Sequence, residues 1–152
     1  MEIIVNEWLL EYLRPNTSRE KRNYALRFIK AWENKIIKVV IRRPSPFLQK
    51  LQRYWQKSNE DESSYYNYKR ISRQLYDSDK TVIVDDNDIK NLPAKLEDKT
   101  PSDDKYLIEL AYTEPSRLIV TTDSPLKQKL HGEAEIKICL LDDFLSDYLI
   151  QS

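Results

Sequence analysis

The chain has 152 residues, with 25 basic and 25 acidic side chains and a formal net charge of zero. A length of this order reads as one domain, 1–152, able to bury roughly 68–70% of its unfolded surface without a staple. Cys139 is the only cysteine and Gly132 the only glycine, which excludes an internal disulfide and every glycine-rich nucleotide loop. Apolar runs are only a few residues long and MEIIVNEW carries no basic leader, so the reading is a cytoplasmic protein without membrane span or signal peptide.

Residues 1–5, MEIIV, read as a short buried strand, and NEWLLEYL continues as a helix with Trp8, Leu9 and Tyr12 or Leu13 inward. Asn6 and Glu7 therefore stand at a strand-to-helix joint. Arg14, Pro15 and Asn16 break this helix, and Thr17 with Glu20 forms a capping box for a second, whose inward stripe is Ala25, Phe28, Ile29 and Trp32. IIKVVI at 36–41 is a second strand at the βαβ spacing of a parallel sheet, and it runs into Arg42 and Arg43. Ser45 as N-cap and Pro46 at the first helical position start a third helix. Phe47, Leu48, Leu51, Tyr54 and Trp55 form its apolar side, and Lys50, Arg53 and Lys57 its charged side.

SNEDESS at 58–64 reads as a polar loop. The next helix has Tyr65, Tyr68, Ile71 and Leu75 on one face and Lys69, Arg70 and Arg73 on another. TVIV at 81–84 is a third strand ending in Asp85 and Asp86, and a short helix and loop lead on to Asp104.

Residues 103–143 carry the densest signal. Leu107, Ile108 and Ala111 follow Asp104 at spacings of three, four and seven, so its carboxylate heads the buried stripe of a helix. Leu118, Ile119 and Val120 are a continuous apolar strand, followed at once by Thr121, Thr122 and Asp123. Asp123 is thus expected at the carboxyl end of a parallel strand, where open α/β sheets keep their ligand crevice. Ser124 and Pro125 begin the next helix. His131, before Gly132, reads as a helix-end residue, and Cys139, among Ile136, Ile138 and Leu140, as a core thiol.

This arrangement of Asp104, Ala111, Thr121 and Asp123 resembles the PIN-domain nucleases, and EIKICLLDDFLSDYL looks like the family's last strand and closing helix. The resemblance implies an α/β/α sandwich with a mostly parallel sheet of four or five strands. It also implies a Mg²⁺- or Mn²⁺-dependent endoribonuclease on single-stranded RNA, similar in size to the VapC toxins, whose members dimerise and are blocked by a small antitoxin. By resemblance Asp104 and Asp123 are metal ligands, Thr121 orients Asp123 or a bound water, and Glu7 with Asp142 or Asp143 supports the site. Two positions depart from the family: Asn6 stands where the first catalytic Asp belongs, and Gln49 and Lys50 where a Glu belongs. Substitution by Glu7, a degenerate site and an introduced inactivating change at Asn6 all fit the first departure. A degenerate RNA-binding or protein-interaction domain is the alternative to an enzyme.

Charge is unevenly placed along the chain. Residues 14–73 hold 16 basic against 5 acidic side chains, and residues 74–152 hold 9 against 17. That asymmetry suggests a basic face for a polyanion, with Arg42, Arg43, Lys50, Arg53, Lys69, Arg70 and Arg73 as its nucleic-acid contacts, and an acidic centre for a cation.

Overall fold

The computed structural model describes residues 1–149. Its strands and helices alternate as β1 (Glu2–Val5), α1 (Trp8–Glu11), α2 (Arg19–Glu33), β2 (Lys38–Arg43), α3 (Pro46–Lys57), α4 (Glu62–Leu75), β3 (Thr81–Asp85), α5 (Ala94–Lys99), α6 (Lys105–Thr113), β4 (Leu118–Thr121), α7 (Ser124–Lys129), β5 (Lys137–Leu140) and α8 (Leu141–Asp147). The five strands form one sheet in the order β3-β2-β1-β4-β5, and every neighbouring pair is parallel. Successive side chains of a strand face opposite sides, which splits the apolar runs between two cores. Ile3, Val5, Val39, Ile41 and Val120 pack with Trp8, Phe28, Trp32, Phe47, Ile71 and Phe144 from α1, α2, α3, α4 and α8. Ile4, Val40, Val84 and Ile119 pack on the other side with Leu96, Leu107, Ile108 and Leu126 from α5, α6 and α7. The result is the expected α/β/α sandwich with helices on both faces. Among the described residues, no helix is long and apolar enough to cross a membrane.

Several local expectations shift. The α2 cap is Ser18, whose hydroxyl accepts from Lys21 N at 3.3 Å, because the Thr17 hydroxyl instead donates to Glu11 O at 2.9 Å. Strand β2 begins at Lys38 and extends through Arg43, after a turn in which Lys35 takes a φ of 61° and Ile36 is exposed. The polar loop at 58–64 contains a 3-10 turn at Ser58–Glu60, and Asp61 caps α4 through Ser64 N, so that helix starts earlier than its aromatic pattern suggested. Trp55 and Tyr65, placed on apolar faces by spacing, are exposed. Cys139 is half-buried, and burial pushes its thiol up, which leaves it protonated.

The relocated cap gives a direct check. Ser18→Ala should lower stability by about 1 kcal/mol in denaturant unfolding, whereas Thr17→Ala, which leaves the helix cap in place, should cost no more than about 0.5 kcal/mol.

Candidate functional site

The strand order reverses its direction of growth at β1, whose two neighbours are β2 and β4. Since all strands are parallel, the carboxyl ends of β1 and β4 open side by side, at the switch point where a crevice forms. Asn6 and Glu7 leave β1 there, and Thr121 to Asp123 leave β4. Two hydrogen bonds across 112 or more residues of chain join the two ends. The Trp8 indole N–H donates to Val120 O at 2.9 Å, and Asn6 Nδ2 donates to Thr121 Oγ1 at 3.2 Å.

The Asn6 amide is oriented by what surrounds it. A backbone N–H can only donate, and Trp8 N donates to Asn6 Oδ1 at 3.3 Å, which turns Nδ2 toward Thr121. Thr121 is fully buried, and its Oγ1 also accepts from Asp123 N at 3.1 Å. Asp123 in turn accepts from Leu126 N through Oδ1 at 3.0 Å, so Asp123, rather than Ser124, is the N-cap of α7. The Thr121 hydroxyl thus meets the backbone N–H of Asp123, not its carboxylate.

Asp104 behaves differently. It precedes α6 at the end of a 3-10 turn, yet its side chain makes no capping bond and accepts no hydrogen bond from the described residues. Burial first, and then the charges of Asp123, Glu7 and Asp103, hold its carboxyl above the usual aspartate range, with Lys129 opposing. The fold therefore gathers Asp104, Asp123 and Glu7 into one negative field, from positions 97 and 116 residues beyond Glu7. Asp142, the remaining candidate, is exposed on α8 and acts on Tyr12 and Tyr24, not on Asp104.

Glu7 has a partner that spacing did not reveal. The Tyr106 hydroxyl donates to Glu7 Oε1 at 2.6 Å. Burial, this bond and the charges of Glu7 and Asp104 all push the phenol far above its ordinary value, so it remains a donor. The only hint in the sequence was its position two residues after Asp104, on the first turn of the same helix.

Asp104, Asp123 and Glu7 offer only carboxylate oxygens, the donors that a hard cation prefers. Among the described residues no group of three or more His, Cys, Asp or Glu forms a ready cage. Mg²⁺ or Mn²⁺ held by Asp104 and Asp123 with waters would need none, since magnesium binds through one or two carboxylates.

The expected nucleic-acid contacts divide sharply. Arg42 is not available, because its guanidinium donates to Asp86 Oδ1 at 2.7 Å, to Glu109 Oε1 at 3.1 Å and to Tyr106 O at 3.2 Å. Arg70 grips Glu33 with two bonds of 2.6 and 2.9 Å, the bidentate geometry that binds most firmly. Arg43 pairs with Asp85, its cross-strand neighbour on β3, and Lys50 with Glu11. Lys69 lies 4.9 Å from the centre of the Tyr65 ring. Arg53 and Arg73 are exposed and make no ion pair with a described residue. Parallel pairing of β2 with β3 explains much of this, as it sets Asp85 and Asp86 beside the two arginines. The chain matches no family model and no curated protein.

Two outcomes follow from the charges. Asp104 holds its proton to higher pH in the folded chain than in the unfolded one, so stability from this group falls as pH rises through its folded pKa. Asp104→Asn should therefore raise Tm by a few degrees at pH 7 in EDTA, and the gain should vanish below about pH 3, where the wild-type residue is neutral in both the folded and the unfolded chain. Arg42→Ala strands Glu109, whose side chain is only 14% exposed, and should cost about 2 kcal/mol, less than a wholly buried pair because Asp86 is half exposed. Arg43→Ala, at an exposed pair, should cost at most about 0.5 kcal/mol.

Proposed function

We propose that this protein is a PIN-type, metal-dependent endoribonuclease acting on single-stranded RNA in the cytoplasm, of the kind that forms the toxin of a toxin-antitoxin pair. The observation that carries the reading is the state of Asp104. A half-buried carboxylate that caps nothing, accepts no hydrogen bond from the described residues and sits in the field of Asp123 and Glu7 is costly to the bare protein, and a cation would relieve that cost. A divalent ion, when bound, lowers the pKa of a water and neutralises charge on a phosphodiester.

Every other part of the site serves to hold those carboxylates. Thr121 fixes the Asp123 backbone, the Asp123 cap on α7 keeps one of its oxygens engaged, and Tyr106 holds Glu7 by its hydroxyl. Trp8 ties the β1 joint to β4, so the two acids of the second half and Glu7 of the first keep their spacing. Asn6 supplies geometry without charge. Aspartate in its place would retain the bond from Trp8 N, and the Thr121 hydroxyl could turn to donate to the second oxygen while still accepting from Asp123 N.

A second reading rests on that same residue. Both ends of the Asn6 amide are engaged in the fold, which suits a domain that has kept the architecture and given up turnover while still binding RNA. Asn6→Asp separates the two. With Mn²⁺ present, cleavage of end-labelled single-stranded RNA should rise by about tenfold or more over the parent chain and disappear when Asp123→Asn is added. If neither the parent nor Asn6→Asp cuts, and RNA still binds with a salt-dependent affinity, the non-catalytic reading stands instead.

A further inference from the structure

A cavity of about 590 Å³ lies between α1 with the segment that follows it and the α3–α4 hairpin. None of Asn6, Glu7, Asp104 and Asp123 lines it. Its walls carry Arg14, Arg53 and Lys57, together with Lys50, which is already paired with Glu11, and its apolar surface comes from Pro15 and Tyr54 over the buried Leu10. On α3, Arg53 and Lys57 are four residues apart and so share one face. Arg14, Arg53 and Lys57 are exposed and make no ion pair with a described residue, in contrast to Arg42 and Arg70, whose acids are supplied from within the fold. The Tyr54 ring is held by its hydroxyl bond to Leu13 O at 3.3 Å. Two acids also line this cavity, Glu60 and Asp61, and the bonds that Asp61 accepts from the N–H and hydroxyl of Ser64 turn its carboxylate toward the start of α4 while keeping it ionised, so the three unpaired cations outnumber the acids by one.

We propose that this cavity holds one nucleotide of a single-stranded polynucleotide, with its phosphate among Arg14, Arg53 and Lys57 and its base on the apolar surface at Tyr54 and Pro15. The volume lies within the roughly 300–1,000 Å³ of small-molecule sites, and cations beside an apolar platform match the two halves of a nucleotide. An acidic peptide would satisfy the cations and leave the apolar surface uncovered. The inference deepens the RNA reading and rests on it for the polymer's identity, but not on turnover, because the cavity lies apart from the carboxylates.

The test is made in EDTA on the full chain, with a fluorescein-labelled single-stranded RNA ten-mer and with uridine 5′-monophosphate as probes. The double variant Arg53→Glu and Lys57→Glu should weaken RNA binding by about tenfold or more and flatten the salt slope by about 2. The pair Lys90→Glu and Lys95→Glu makes the same change of net charge outside the cavity, at exposed positions, and should weaken binding far less. In amide NMR of the wild-type chain, the mononucleotide should shift Arg14, Tyr54 and Ser64, a result that needs no variant to fold. Equal weakening by both pairs, mononucleotide shifts confined to other surfaces, or displacement of RNA by polyglutamate as readily as by unlabelled RNA would each overturn the assignment. Because no metal is present, absence of cleavage by Asn6→Asp leaves these titrations unaffected, and their failure leaves Mn²⁺-dependent cleavage to be judged alone.

Discussion

The shared direction of β1 and β4 is the constraint on which the rest of the molecule depends. Two adjacent parallel strands must end at the same edge of the sheet, so whatever follows each of them meets there. The indole bond from Trp8 to Val120 O and the amide bond from Asn6 to Thr121 lock this meeting, while Ile3 and Val5 on one face and Ile4 on the other are buried in the two cores. Tilting or slipping β1 by one residue would exchange its two faces, and would separate the joint at Asn6 and Glu7 from Asp123. The packing of both cores thus fixes the geometry of the crevice.

Electrostatics divides the protein into groups that satisfy one another and groups that do not. Arg42 spans Asp86 and Glu109, and Arg70 clasps Glu33, so much of the basic character of the first half is spent inside the fold. Asp104 has no such partner among the described residues: burial first, and then the negative charges of Asp123 and Glu7, raise its carboxyl. An arrangement of like charges costs folding energy unless something of opposite sign binds, whereas an ion-paired arginine has its opposite charge at hand. This difference separates candidate function from architecture more reliably than the count of charges along the chain.

Tyr106 connects these two kinds of region. Its hydroxyl donates to Glu7, and its carbonyl accepts from Arg42, which also holds Glu109 one turn further along α6. Helix α6 is therefore held at its first turns by the acidic crevice on one side and by the β2 arginine on the other. Asp104, at the head of that helix, inherits its position from both.

The sequence alone determined the alternation of strands and helices, the parallel sheet and the residues at its strand ends. Apolar runs and helical spacing report burial directly, and Leu118 to Asp123 placed an acid at a strand's carboxyl end before any fold was known. Caps one residue from their expected positions, at Ser18 and Asp123, reflect where neighbouring oxygen side chains find their partners, the Thr17 hydroxyl turning to Glu11 O and the Asp123 carboxylate reaching Leu126 N, which composition cannot settle. Only the tertiary structure decided which charges are spent. Arg42 and Arg53 look alike along the chain, but the end of β3 and α6 bring acids to the first, while the second lines a cavity with no acid among the described residues bonded to it. The physical reason is that a charge acquires its role from partners brought to it by chain folding. Glu109 is 67 residues from Arg42 and Glu7 is 99 from Tyr106, distances over which local pattern carries no information.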